Sequence, residues 1–235
     1  MTLSERQLSE LEYPTSDGQP MGETELHRDL MIDLIEALKA HYADQPDVYV
    51  SGNILLLYEQ LDPNAHYSPD VLVTLGISNE KRENYKLWEL GKAPDLVIEV
   101  TSKSTRLRDI GLKKGLYEAI GVKEYLLFDP RTEYLQPRFQ VYRNEGSGYL
   151  PVLVPDATGY QSLTLGLIFR EQSGQLRVFD PVTGLALRTP SEQAVYAQQQ
   201  AQFAQQQAQL AQESAAYAER LAQKLRALGV DPEQL

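Results

Sequence analysis

Cysteine is absent from the 235 residues, which excludes a disulfide framework, a zinc–thiolate centre and a thiol nucleophile. No apolar run of signal-peptide type opens the chain, and none approaches the about 20 residues that a membrane span needs. A soluble protein of the cytoplasm is the expectation, with no membrane partner. Positive charge is also in short supply. The 22 Lys and Arg residues stand against 33 Asp and Glu, a formal charge of −11, which argues against a protein that coats nucleic acid indiscriminately. The deficit leaves room for a local basic cleft. Between Lys103 and Lys114 five cations (Lys103, Arg106, Arg108, Lys113 and Lys114) face Asp109 alone. The length suits one core of ordinary size plus an appendage.

What is present is organised around Pro94–Thr105. From Leu96 to Val100 every residue except Glu99 is aliphatic, on both faces of the pleat, as in a strand buried on both sides. An ionised carboxylate there costs several kcal/mol unless a cation, hydrogen-bond donors or a metal compensates it. The strand alone leaves those alternatives open.

Around it the pattern predicts an α/β (α+β) domain with a mixed sheet. A helix is expected from about Glu23 to Tyr42, with Leu26, Leu30, Leu34 and Leu38 as its stripe and Glu23 and His27 one turn apart. His27 is open to two readings, a structural hydrogen bond or a place beside a reaction centre. Asp47–Tyr58 reads as strand one, Leu61–Tyr67 as a loop, and Pro69–Leu75 as strand two with Asp70 at its start. Residues 78–94, which carry the only tryptophan, Trp88, read as a long connection. Thr105–Gly121 reads as a helix with Leu107, Ile110, Leu112, Leu116, Tyr117 and Ile120 as its apolar positions and Gly121 as its stop. Glu124–Pro130 is strand four. Two hairpins are expected to extend or cover the sheet, Phe139–Tyr142 with Tyr149–Val154, and Leu163–Phe169 with Leu176–Phe179. From Ser191 the composition turns to Ala and Gln. Ala194, Ala197, Ala201, Ala204 and their successors alternate three and four apart, the seam of a coiled coil. The expected division is 1–190 and 191–228, with the C-terminal helix expected to self-associate, in a dimer, or to fold back.

Spacing then selects partners for Glu99. Asp95 lies about 13 Å back along the same strand at about 3.3 Å per residue, too far to share an ion, and reads as a turn or cap residue. A paired neighbour strand is only about 4.8 Å away. If strands two and three run antiparallel, Asp70 comes beside Glu99, and two carboxylates suffice for Mg²⁺, which keeps waters and takes phosphate oxygens. Hydrolysis of a phosphodiester also needs a cation near the developing charge. Thr101 has no amine, and Lys103 lies beyond the strand. Lys113, with Asp109 and Tyr117 one turn to either side, points back at the strand end if its helix packs over the sheet. Lys103, Arg106, Arg108 and Lys114 are then candidates for the phosphate backbone.

Pro69-Asp70, Glu99-Val100-Thr101-Ser102, Asp109-x₃-Lys113-x₃-Tyr117 and Gly121-Val122-Lys123-Glu124-Tyr125 together resemble the Uma-two family of restriction-endonuclease-like proteins, abundant in cyanobacteria, within the PD-(D/E)XK nuclease superfamily. The resemblance covers roughly residues 20–190. It implies a restriction-endonuclease-like mixed sheet flanked by helices. It also implies a metal (Mg²⁺ or Mn²⁺) on Asp70 and Glu99, and a superfamily lysine moved from the position of Thr101 to Lys113. Glu25 (or Glu23) corresponds to an acid that relatives carry on the first helix, with His27 supporting. The implied function is metal-dependent DNA endonuclease. A catalytically silent nuclease fold used for binding or assembly is the alternative, and a hydrolase of small phosphoesters is a third reading.

Overall fold

The structure, a computed structural model, describes residues 13–16 and 24–228. The sequence also predicts a turn-rich entry at Thr15–Pro20 and a helix stop at Gly229; Glu23, that entry from Asp17 onward and Gly229 lie outside the described residues. The chain divides into two units, Met1–Thr189 and Pro190–Leu235.

In the first unit, helix α1 (Glu25–His41) begins where Thr24 caps it, its hydroxyl accepting from His27 N–H at 3.3 Å. Among the described residues one sheet has six strands. In spatial order they are β1 (Val48–Ser51), β4 (Val71–Leu75), β6 (Leu96–Val100), β7 (Glu124–Phe128), β8 (Phe139–Asn144) and β9 (Tyr149–Val152). Only β6 and β7 run parallel; every other pair in this sheet is antiparallel. The central strands are buried throughout, as their two-sided apolar composition requires. On one face Val71, Ile98 and Leu126 pack with Leu30, Leu34 and Leu38 of α1 and with Phe169 and Val178. On the other, Leu72, Val97, Tyr125 and Leu127 pack with Tyr117 and Val122.

The run Asp47–Tyr58 is not one strand. It splits into β1 and β2 (Leu56–Leu57), and β2 joins a small sheet with β3 (His66–Tyr67) and β5 (Tyr85–Lys86). The break falls at Gly52 and Asn53. A Cβ on Gly52 would stand 2.0 Å from the carbonyl oxygen of Asp70, and Asn53 takes a left-handed φ of 50°. The connection before β6 contains the short helix α2 (Leu87–Leu90). The second hairpin does not extend the main sheet. Its strands β11 (Ile168–Gln172) and β12 (Gln175–Phe179) form a separate three-stranded sheet with β10 (Tyr160–Gln161).

The helix expected at Thr105–Gly121 is a π-helical segment, Arg108–Lys113, followed by α3 (Lys114–Ile120), with Gly121 as its left-handed cap. Its apolar residues do not all face inward. Leu107, Ile110 and Leu112 are exposed, whereas Asp109 and Lys113 are buried. The polar stripe 109–113–117 turns to the sheet, where Lys113 and Tyr117 both donate to Glu99. Leu26 of α1, expected on the apolar stripe, is exposed as well.

Asp95 is more than a turn residue. Its buried carboxylate accepts from Leu75 N–H at 2.8 Å and pairs with Lys92 at 2.9 Å and Lys123 at 2.8 Å. Burial alone would raise its pKa, but Lys123, the Leu75 amide and Lys92 outweigh it and hold the group below the ordinary 3.8. The resulting stabilisation is complete above that value and is lost as acid carries the pH down through the folded pKa. Asp95→Asn is therefore expected to lower stability to urea by about 1–2 kcal/mol at neutral pH. The deficit should narrow below about pH 3.8; a deficit constant with pH would contradict the assignment.

Among its described residues the second unit, taken by itself, holds one helix, α4 (Pro190–Ala227), with no buried residue. Among the described residues no helix is long and apolar enough to cross a membrane.

Candidate active site

The register of β4 against β6 pairs Val71 with Ile98, so one residue further Asp70 stands opposite Glu99. Both project on the face of the sheet that α3 covers. The start of β4, the end of β6 and the end of β7 share one edge of the sheet, and a cleft of about 1250 Å³ opens there. His27, Ser68, Asp70, Glu99, Thr101 and Lys113 are among its lining residues.

Glu99 is fully buried, and each of its carboxylate oxygens holds one donor. Lys113 Nζ donates to Oε2 at 2.7 Å and Tyr117 OH donates to Oε1 at 2.8 Å. Lys113 also lies 3.4 Å from the Ser68 carbonyl and 3.5 Å from Asp109 Oδ1. Asp70 Oδ2 accepts from Val100 N–H at 2.7 Å and meets His27 Nε2 at 3.1 Å. The two readings of His27 therefore coincide in one contact, a hydrogen bond that orients a cleft carboxylate. Tyr125 OH donates to the Asp109 carbonyl at 2.9 Å and so ties the π-helical segment to the sheet.

Burial pushes the Glu99 carboxyl up to about 8, with Lys113 pulling it back and Asp70 and Asp109 adding to the rise. Burial alone would lower Lys113, but Glu99, Asp70 and Asp109 hold it above its ordinary range, so it remains an ammonium at neutral pH. Burial raises Asp109 against the pull of Lys113. Burial, followed by Glu99, raises Tyr117 far above its ordinary 10.0, which keeps its hydroxyl a donor.

The remaining residues singled out from the sequence divide. Lys103 and Arg108 line the cleft, and the Arg108 guanidinium lies 5.5 Å from the Tyr67 ring centroid. Lys114 Nζ instead sits 3.7 Å over the Tyr142 ring, and neither it nor Arg106 lines the cleft. Glu25 is exposed and outside the lining. Among the cleft residues that escaped the sequence reading are Arg131 and Tyr134, in the loop after β7. Their signal was available: loops at the carboxyl ends of parallel strands are where α/β sheets place ligands. Tyr117 stood in the right helical register but had no role assigned to it.

Among the described residues no group of three or more His, Asp or Glu side chains stands together as a metal cage. A divalent ion would instead rest on Asp70 and Glu99 and complete its shell from water and phosphate, the habit of Mg²⁺. The donors suit it, since a carboxylate oxygen with one hydrogen bond keeps another lone pair. Thr101, buried at the cleft two residues past Glu99, has a hydroxyl with no protein partner, as expected where a ligand or water oxygen is to be met.

Comparison with known proteins adds three findings. A sequence model of the Uma2 family, described as "Putative restriction endonuclease", matches residues 2–177. Among solved structures the chain is similar to a protein of Anabaena variabilis ATCC 29413 described as "a putative nuclease belonging to DUF820". The identity is 15%, the match covers 68% of this chain and 89% of that one, and the TM-score is 0.43. No curated protein matches the chain.

Proposed function

The chain belongs to the Uma2 family, and from that premise we propose that it is a divalent-metal-dependent endonuclease that hydrolyses phosphodiester bonds of DNA. The observation that carries the reading is the pair of facing strand-borne acids, Asp70 and Glu99, with the Lys113 ammonium 2.7 Å from Glu99 on the floor of an open cleft. Asp70 and Glu99 would hold Mg²⁺ or Mn²⁺, and the chemistry such an ion would supply there is Lewis acidity toward a phosphate and toward a water. The Val100 amide and His27 fix the Asp70 carboxylate, and Tyr117 fixes that of Glu99. Lys113, charged and held in place before the substrate arrives, offers its remaining protons to the attacking water or to a nonbridging oxygen as negative charge develops. Lys103 and Arg108 meet the flanking backbone. Within the cleft four cations (Lys103, Arg108, Lys113, Arg131) face the two carboxylates, a local positive balance inside a chain of net charge −11.

Incubation of supercoiled plasmid with the purified protein tests this. Nicking with Mg²⁺ or Mn²⁺, lost in EDTA and reduced about 10²–10³-fold in Glu99→Gln, is the expected result. Absence of cleavage across metals, sequences and salt concentrations would leave a silent binding module. Hydrolysis of a small model phosphodiester without plasmid nicking would move the substrate to small phosphoesters.

A further inference from the structure

We propose that Arg131 is a second-strand-end phosphate clamp, a binding residue for a phosphodiester that flanks the scissile one. The inference rests on the DNA reading above and goes beyond it by assigning a contact to a loop with no place in the expected site.

The loop is built for rigidity. Asp129, fully buried at the end of β7, accepts from the backbone amides of Arg131 at 2.9 Å, Tyr134 at 2.6 Å and Leu135 at 3.1 Å. Arg138 fastens the same turn from the other side, donating to the carbonyls of Asp129 at 3.0 Å and Pro130 at 2.6 Å. A buried carboxylate and a guanidinium are thus both committed to main-chain atoms of one short surface loop. What that loop presents to the cleft is Arg131, with Tyr134 beside it.

Arg131 is also uncompensated. Lys92 and Lys123 are paired with Asp95, Lys113 with Glu99, Lys39 with Glu36 and Lys86 with Glu89. Arg131 is exposed and has no ion pair among the described residues. The two carboxylates of the cleft are already engaged by His27, Lys113 and Tyr117. An arginine whose main chain is already held by a rigid turn pays only for its side chain when it takes an anion. The anion is a phosphodiester in a chain rather than an isolated phosphate. Because β6 and β7 run parallel in adjacent positions, the loops that follow them emerge side by side, with Lys103 and Arg108 after one and Arg131 after the other. Cations on two neighbouring loops suit a polyanion that passes across both.

The test uses the full chain with Glu99 and Lys113 intact, in EDTA so that DNA is bound without being cut. Binding of a short fluorescein-labelled duplex is followed by anisotropy over a series of salt concentrations. Arg131→Ala in that chain is expected to weaken binding about tenfold and to reduce the slope of log affinity against log salt by about one. Arg131→Lys, which keeps the charge, should restore the slope, and Lys81→Ala, an exposed cation outside the cleft, should leave both unchanged. With the divalent metal supplied in place of EDTA, Arg131→Ala should raise KM and spare kcat. An unchanged slope in Arg131→Ala, with salt-dependent binding by the parent, overturns the clamp and leaves the nuclease reading standing. A parent that fails to bind DNA at low salt overturns both.

Discussion

Lys113→Met is expected to lower folding stability by about 3–5 kcal/mol at neutral pH and to eliminate cleavage at the same time. Among the described residues Lys113 is the one cation in contact with two buried acids, Glu99 at 2.7 Å and Asp109 at 3.5 Å. Removing it leaves both carboxyls in a space too dry to ionise them, so each must take up a proton or remain an uncompensated charge. The direction with pH follows. Without Lys113 the folded-state pKa of Glu99 rises further above its ordinary 4.5, so the variant loses stability as pH rises from there through the folded value. Urea denaturation should therefore show the gap between variant and wild type closing on acidification. Adding Glu99→Gln to Lys113→Met removes one of the stranded charges and should restore much of the stability while restoring no cleavage. A single variant within about 1 kcal/mol of wild type would show that the pair is not what holds this part of the fold, because exposed pairs are worth no more than that.

The second large effect is expected from one methyl group. Gly52→Ala places a Cβ 2.0 Å from the Asp70 carbonyl oxygen and 2.6 Å from Ile35 Cδ1. The side chain can yield; the backbone of Asp70 yields only by shifting the strand start that carries the acid. Overpacking of this kind costs about 1–3 kcal/mol. A displacement of about 1 Å in a positioned group costs about 10²-fold in rate. Cleavage in Gly52→Ala should fall by that order, and Ile35→Val in the same chain should not recover it. Gly115→Ala supplies the contrast. In α3 a Cβ at 115 meets nothing within 4 Å. The change should stabilise by about 0.5–1 kcal/mol and leave cleavage alone. Similar losses in both variants would mean that Asp70 tolerates displacement.

Much of this was legible from residue order. That Asp70 stands beside Glu99 was readable on the condition that strands two and three run antiparallel, as β4 and β6 do. The reach of Lys113 was readable from helical spacing on the condition that its helix packs over the sheet. What escaped has physical causes. The break between β1 and β2 depends on a contact between Gly52 and Asp70, 18 positions apart, which no local pattern encodes. The π-helical segment misled the apolar count, since Leu107, Ile110 and Leu112 look like core positions until Glu99 claims the facing side for Asp109 and Lys113. Arg131 follows a proline at a strand end, and nothing nearby says that the buried Asp129 fastens its turn.

The double duty proposed for Lys113 bears on how such a protein can decay. In most enzymes a catalytic side chain is dispensable to the fold, so a lineage that abandons its chemistry can discard it first. Here the ammonium and the acid hold each other in place, and discarding either alone incurs the cost of the one left behind. Descendants that gave up DNA cleavage would be expected to lose positions 99 and 113 as a couple, replaced by apolar or neutral side chains of similar bulk, while a solitary replacement at either position would mark a chain on its way to degradation.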